Sequence, residues 1–198
     1  MKFVFVTFAA AMVFALAACG QRSASPVPTD LVIELSDQFT GDFALVDENG
    51  DPVSDKDFEG KLMLVYFGFT HCPDVCPGDV GVMSAALNEL GDMADEVAPI
   101  FISVDPERDT PEALAAYFAF DDRIIGLTGS PEAAEAARNG YKLYAQKEPL
   151  PDSALEYTVN HGRFFYVADR TGQPRIAMLG GLSPQELSAV LRRSINDF

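Results

Sequence analysis

Residues 62–77 read L-M-L-V-Y-F-G-F-T-H-C-P-D-V-C-P, and the fold turns on how this stretch is read. Positions 62–69 are almost continuously apolar, the pattern of a strand buried on both faces, which belongs at the centre of a sheet. The turn that follows carries Thr70, His71 and Cys72, and Cys76 comes four residues on, just before a helical pattern. In that pattern Val80, Met83, Leu87, Leu90, Ala94 and Val97 recur at three and four residues, one buried stripe of a first helix. The stripe reads as core, not as a methionine ligand set. Two thiols therefore sit at a strand-to-helix junction, where the helix dipole lowers a cysteine pKa and the thiolate is both nucleophile and metal ligand.

Spacing alone leaves the role of the pair open. Residues four apart in a helix are separated by about 6 Å of rise, inside the roughly 4.4–6.8 Å Cα window of a disulfide. Two sulfurs each about 2.3 Å from one metal would be roughly 4 Å apart, which the same spacing allows. A purely structural disulfide is the third reading, although so short a loop gains little from cross-linking.

Outward from this centre, Met1 and Lys2 precede an uncharged run over residues 3–18 that ends Leu16-Ala17-Ala18-Cys19. The run is shorter than the ~20 residues of a membrane span and has the layout of a secretory signal peptide. Leu-Ala-Ala-Cys resembles the bacterial lipobox, which implies cleavage before Cys19, lipid attachment to that cysteine and a protein of the bacterial cell envelope, anchored to a membrane and facing the periplasm. Cys72 and Cys76 would then be the remaining thiols, in a compartment that permits disulfides. Residues 19–30, with Ser23, Ser25, Pro26 and Pro28, read as a lipidated cysteine and flexible tether, and residues 31–198 as one domain with no internal repeat. With Lys2 removed, 13 basic residues stand against 30 acidic ones, a net charge of −17 that disfavours nucleic acid and direct binding to anionic lipid.

Within the domain, residues 43–46 and Val53 flank Asp47-Glu48-Asn49-Gly50, an N-terminal hairpin signal. Residues 98–104 predict the second long strand, and 124–127 and 141–145 two short ones, with Gly140 as a helix C-cap. Three helices open with a hydroxyl N-cap and proline at the first helical position: Thr110-Pro111, Ser130-Pro131 and Ser183-Pro184, the last with a capping box through Glu186. Residues 164–168 and 175–179 flank Asp169-Arg170-Thr171-Gly172 as a second hairpin, before a C-terminal helix ending near Ile195. Alternating strands and helices predict an α/β fold, a mixed sheet flanked by helices on both faces.

Cys-x-x-x-Cys after a central strand, in this element order, resembles the thioredoxin superfamily, and the local sequence is similar to the Sco/SenC family of copper-handling proteins. The resemblance rests on G-D-F-A-L-V-D-E-N-G at 41–50, F-E-G-K at 58–61, Y-F-G-F-T-H-C-P-D-V-C-P at 66–77 and S-V-D-P-E-R-D-T-P-E at 103–112, with His161 ahead of a strand pair. It implies a thioredoxin-like domain with an N-terminal hairpin extension, and copper, as Cu(I) or Cu(II), held by Cys72, Cys76 and His161. Soft thiolates suit Cu(I) and imidazole suits either state. His71, adjacent to Cys72, is read as a neighbour that tunes the thiol, and His161 could also be a hydrogen-bonded loop histidine. The family commonly has an acidic residue before this histidine and a serine after it. Here they are Asn160 and Gly162, so a carboxylate that would orient the ring is missing and glycine is expected to loosen the loop.

Three functions are compatible with these residues. The resemblance implies a copper metallochaperone for the CuA centre in subunit II of cytochrome c oxidase, working beside other periplasmic copper chaperones. A thiol-disulfide oxidoreductase would use Cys72 and Cys76 through a mixed disulfide to reduce the target's cysteines. A thiol peroxidase would share the fold. Thioredoxin-type reductases place a cis-proline opposite the thiols, whereas the matching segment here, Thr158-Val159-Asn160-His161-Gly162, has none.

Overall fold

The structure is a computed structural model that describes residues 32–198. The expected signal peptide at 1–18, the expected lipidation at Cys19 and the expected tether fall outside the described residues. In chain order the strands and helices are β1 (Ile33–Glu34), β2 (Ala44–Val46), β3 (Pro52–Ser54), β4 (Leu62–Gly68), α1 (Val75–Leu90), β5 (Val97–Ser103), α2 (Pro111–Phe118), β6 (Ile125–Leu127), α3 (Pro131–Gly140), β7 (Ala145–Pro149), β8 (Tyr157–His161), β9 (Phe164–Ala168), β10 (Pro174–Leu179) and α4 (Pro184–Asp197).

Six strands form one mixed sheet in the order β1-β10-β9-β4-β5-β6. β4 lies inside it, parallel to β5 and antiparallel to β9, and all seven of its residues are buried, as the unbroken apolar run predicts. Successive side chains of a strand face opposite ways. Tyr66 packs against Phe101 and Phe165 on the side of α1 and α2, while Phe67 stacks edge-on with Tyr141, which follows α3, and with Tyr166. Both faces are thus covered, and α1 and α4 pack on each other.

The three hydroxyl-proline starts are all realised. Thr110, Ser130 and Ser183 accept the amide protons of Ala113, Ala133 and Glu186, and Glu186 completes its capping box. β2 and β3 form the N-terminal hairpin as a separate two-stranded ribbon.

Several local expectations are corrected. α1 starts at Val75, so Cys76 lies in its first turn, and it stops at Leu90. Ala94 falls in a 3-10 turn and Val97 opens β5. Val97 belongs to the core and Ala94 packs against it, so both are apolar although neither is in the helix. Residues 141–144 are not a strand; Tyr141 caps α3, and the left-handed conformation expected of Gly140 falls on Lys142, with φ 51°. The strand begins at Ala145 and pairs with β8, so the segment around His161 is an extended ribbon and not a loop. Its residues are too polar and too exposed to carry an apolar period, and pairing along the ladder holds them.

Candidate metal centre

The site forms where β4 hands over to α1. Cys72 follows the turn closed by its own amide donating to the Phe69 carbonyl, and its sulfur accepts the Cys76 amide at 3.4 Å, so it caps the free N–H groups of the helix. Cys72 is 9% exposed and Cys76 is 0% exposed, which makes Cys72 the sulfur that a partner can reach. A hydrogen bond from the Cys76 thiol, helped by the amides at the helix start, brings the Cys72 pKa down to about 5 against the opposing effect of burial. The same pairing, together with burial, pushes the Cys76 thiol up. One thiolate and one thiol therefore share the junction, both uncrosslinked.

His161 arrives at the end of β8, and its Nε2 lies 3.7 Å from the Cys76 sulfur. Its Nδ1 is 2.9 Å from the Gly162 carbonyl oxygen. A carbonyl only accepts, so Nδ1 carries the proton and Nε2 turns a lone pair toward Cys76. Burial lowers the His161 pKa, which keeps the ring neutral as a metal ligand must be. The Phe69 ring stands edge-on to the imidazole at 5.9 Å. The orienting carboxylate that Asn160 fails to provide is thus replaced by a backbone carbonyl, while Asn160 itself points away to Glu148. Gly162 does not loosen this segment. A Cβ there would come within 2.9 Å of Leu143 Cδ1 and 3.2 Å of Phe164 Cδ2, so glycine permits a close approach.

The separation of Cys76 and His161 fits a metal between them. With bonds of about 2.3 Å to sulfur and about 2.0 Å to nitrogen, a donor angle near 120° spans about 3.7 Å. The Cys72 sulfur lies beside this pair, accepting the Cys76 amide and the hydrogen bond of the Cys76 thiol. Among the described residues no group of three or more His, Cys, Asp or Glu side chains is assembled to hold a metal ion.

His71 does not approach the sulfurs by any hydrogen bond. Its Nδ1 lies 2.9 Å from Thr70 Oγ1, whose own proton goes to Asp109 at 2.6 Å. Asp109 is buried and also accepts the Thr70 amide and the Ser103 hydroxyl, pinning the cysteine turn to the end of β5.

Residues that sequence reasoning passed over hold the ribbon and the helix. Arg108 donates to Asp105 at 2.5 Å and to the Leu155 and Tyr157 carbonyls, and its guanidinium carbon sits 3.8 Å over the Tyr157 ring and 5.8 Å from Phe69. Tyr157 in turn donates to Asp105. Beneath Cys76, Asp79 is 1% exposed and pairs with Arg163. A signal for Asp79 was present: it is a carboxylate within a helical stretch of mostly apolar and small residues, beside the buried stripe.

Comparison with known proteins places this architecture. Residues 33–196 match the family described as SCO1/SenC, and the chain belongs to that family. It is similar to Protein sco1 of Schizosaccharomyces pombe, 41% identical over 139 residues that make up 69% of this chain and 53% of that protein. The match thus spans about half the length of that relative. Among solved structures it resembles copper-bound ScoI of Bradyrhizobium japonicum, with 41% identity, a TM-score of 0.72 and coverage of 79% of this chain and 99% of that one. It also resembles copper-bound yeast Sco1, with 30% identity, a TM-score of 0.74 and coverage of 81% and 90%. The fold is accordingly a mixed sheet flanked by helices, like that of these thioredoxin-like relatives.

Proposed function

We propose that this protein is a copper metallochaperone of the bacterial cell envelope, which binds copper through Cys72, Cys76 and His161 and passes it to the CuA centre in subunit II of cytochrome c oxidase. The observation that carries the reading is the 3.7 Å approach of His161 Nε2, lone pair inward, to the Cys76 sulfur. Two thiolates and one imidazole make a soft, low-coordinate set suited to Cu(I), and such a set can hand its ion on. Binding requires the Cys76 proton to leave, so uptake releases a proton. Family membership and the copper-bound relatives support this assignment.

Anaerobic copper titration of the reduced protein, with thiol counting, is the test. One copper per chain is expected. Cys72→Ser, Cys76→Ser and His161→Ala should each weaken binding severely, and His71→Ala should bind nearly as well. Stoichiometric binding lost in His71→Ala alone would overturn the ligand set. Oxidised protein with no free thiols should bind copper poorly.

The depressed Cys72 pKa favours a second activity, thiol-disulfide exchange with the target's cysteines. Cells separate the two. For copper delivery, His161→Ala fails to restore oxidase assembly at limiting copper; for exchange alone, that variant complements and an added dithiol substitutes for the protein.

Membrane attachment is assigned to lipid on Cys19 from its Leu-Ala-Ala-Cys sequence. Cys19→Ser, with signal cleavage confirmed, should leave the membrane fraction after a high-salt wash.

A further inference from the structure

The Asp79–Arg163 pair joins the two elements that bring the site together. Asp79 lies three residues after Cys76, one turn along the same face of α1. Arg163 lies two residues after His161, in the link between β8 and β9. The guanidinium grips both carboxylate oxygens, Nε to Oδ2 at 2.5 Å and Nη2 to Oδ1 at 2.7 Å. Such a planar fork fixes distance and orientation together. Two further donors complete the carboxylate: the Tyr66 hydroxyl on Oδ2 at 2.9 Å and the Gly181 amide on Oδ1 at 3.0 Å. Gly180 closes over the pair so tightly that a Cβ would lie 2.5 Å from Arg163 Cγ, Arg163 Nε and Asp79 Oδ2.

We propose that Asp79 and Arg163 are the positioning residues of the copper site, setting the separation of the Cys76 sulfur and His161 Nε2. This rests on the metallochaperone reading. Neither residue is a ligand. Their ion pair, buried on the Asp79 side and half-exposed on the Arg163 side, is the short polar link between the cysteine helix and the histidine strand, whose ligands are 85 residues apart in sequence. Were its role fold stability alone, weakening it would lower copper affinity by the same factor whether or not His161 is present. As a positioning device it acts through His161.

The test is a double-mutant cycle on copper affinity in the full chain in detergent, using wild type, Arg163→Lys, His161→Ala and the double variant. Lysine keeps the charge that Asp79 needs but not the two-pronged grip, so the variant should fold. Arg163→Lys should bind copper tenfold or more weakly, the range seen when a partner that orients a ligand is lost. Its thiolate-to-copper absorption with Cu(II) should shift, while the reduction potential of the Cys72–Cys76 disulfide, which involves no histidine, should hold. In the His161→Ala background the same change should cost nothing further. Equal losses in both backgrounds, or wild-type affinity in Arg163→Lys, would overturn the proposal. If Arg163→Lys fails to fold, Asp79→Asn, nearly isosteric, replaces it in the cycle under the same criteria. A wild-type chain that binds no copper would sink the metallochaperone reading itself, a result distinct from either.

Discussion

Cys72 and Cys76 stand four residues apart at the end of β4, whose every residue is buried, whereas His161 reaches them from the two-stranded ribbon β7–β8, 85 residues beyond Cys76. The cysteine side is held by the central sheet and by a helix start. β7 and four of the five β8 residues are exposed or half-buried, and a few polar contacts hold the ribbon: Arg108 to the Leu155 and Tyr157 carbonyls, Tyr157 to Asp105, Lys147 to Glu107. A site that must release its ion can be built this way, with two donors on the most stable part of the fold and the third on a part that opens at lower cost.

The comparison can be broken most forcefully at the sheet. Phe67→Ala removes a fully buried ring that packs on Tyr141 and Tyr166, and it should cost about 3–5 kcal/mol of global stability in urea unfolding. Loss of copper binding in that variant should track global unfolding and nothing else.

Arg108→Ala leaves Asp105 buried with Tyr157 as its remaining side-chain partner and should cost about 3 kcal/mol. Native-state hydrogen exchange is the sharper readout. Amides of β7 and β8 should lose protection while those of β4 and β5 keep theirs, and uniform loss across all four strands would show that the ribbon is no separate unit.

A smaller effect is expected at Gly162. Alanine there meets Leu143 and Phe164, so Gly162→Ala should cost about 1 kcal/mol. Copper affinity should fall with it, and the disulfide potential of the cysteines should not. An unchanged affinity would mean that the ring position tolerates movement of its own backbone.

The last expectation involves no change in stability. Cys72 has its pKa lowered to about 5, so its reactive thiolate persists down to that pH and is lost only on further acidification. An ordinary thiol becomes reactive only near pH 8.5. Iodoacetamide labelling followed by mass spectrometry should find Cys72 modified first, with a half-maximal rate near pH 5, and Cys76, buried with its pKa raised, silent over the same range. Labelling of Cys76 first would reverse the assignment of the exposed sulfur.

The cysteine side was legible because its signals are local. An unbroken apolar run marks β4, three hydroxyl-proline pairs mark the starts of α2, α3 and α4, and Asn49-Gly50 marks the first hairpin. The ribbon was not. Residues 145–149 read A-Q-K-E-P, which has neither β-branched content nor alternation, and Tyr157 to His161 alternate too weakly to be told from a loop. Their strand form comes from pairing with each other, and pairing has no signature within either segment. Gly162 shows the same limit. Its place beside a ligand suggested slackness, and tertiary contacts pack it against Leu143.

By itself, then, the sequence determined the long central strands, the starts of α2, α3 and α4, the placing of two thiols at a helix N-terminus and the family to which these motifs belong, because each follows from chemistry within a few residues of chain. What only the tertiary structure decided is the third corner of the site. The approach of His161 to Cys76, the backbone carbonyl that sets its tautomer, and the Asp79–Arg163 pair all join residues more than eighty positions apart or depend on where such residues come to rest. Contacts of that range are fixed by packing of the whole domain, and no local pattern encodes them.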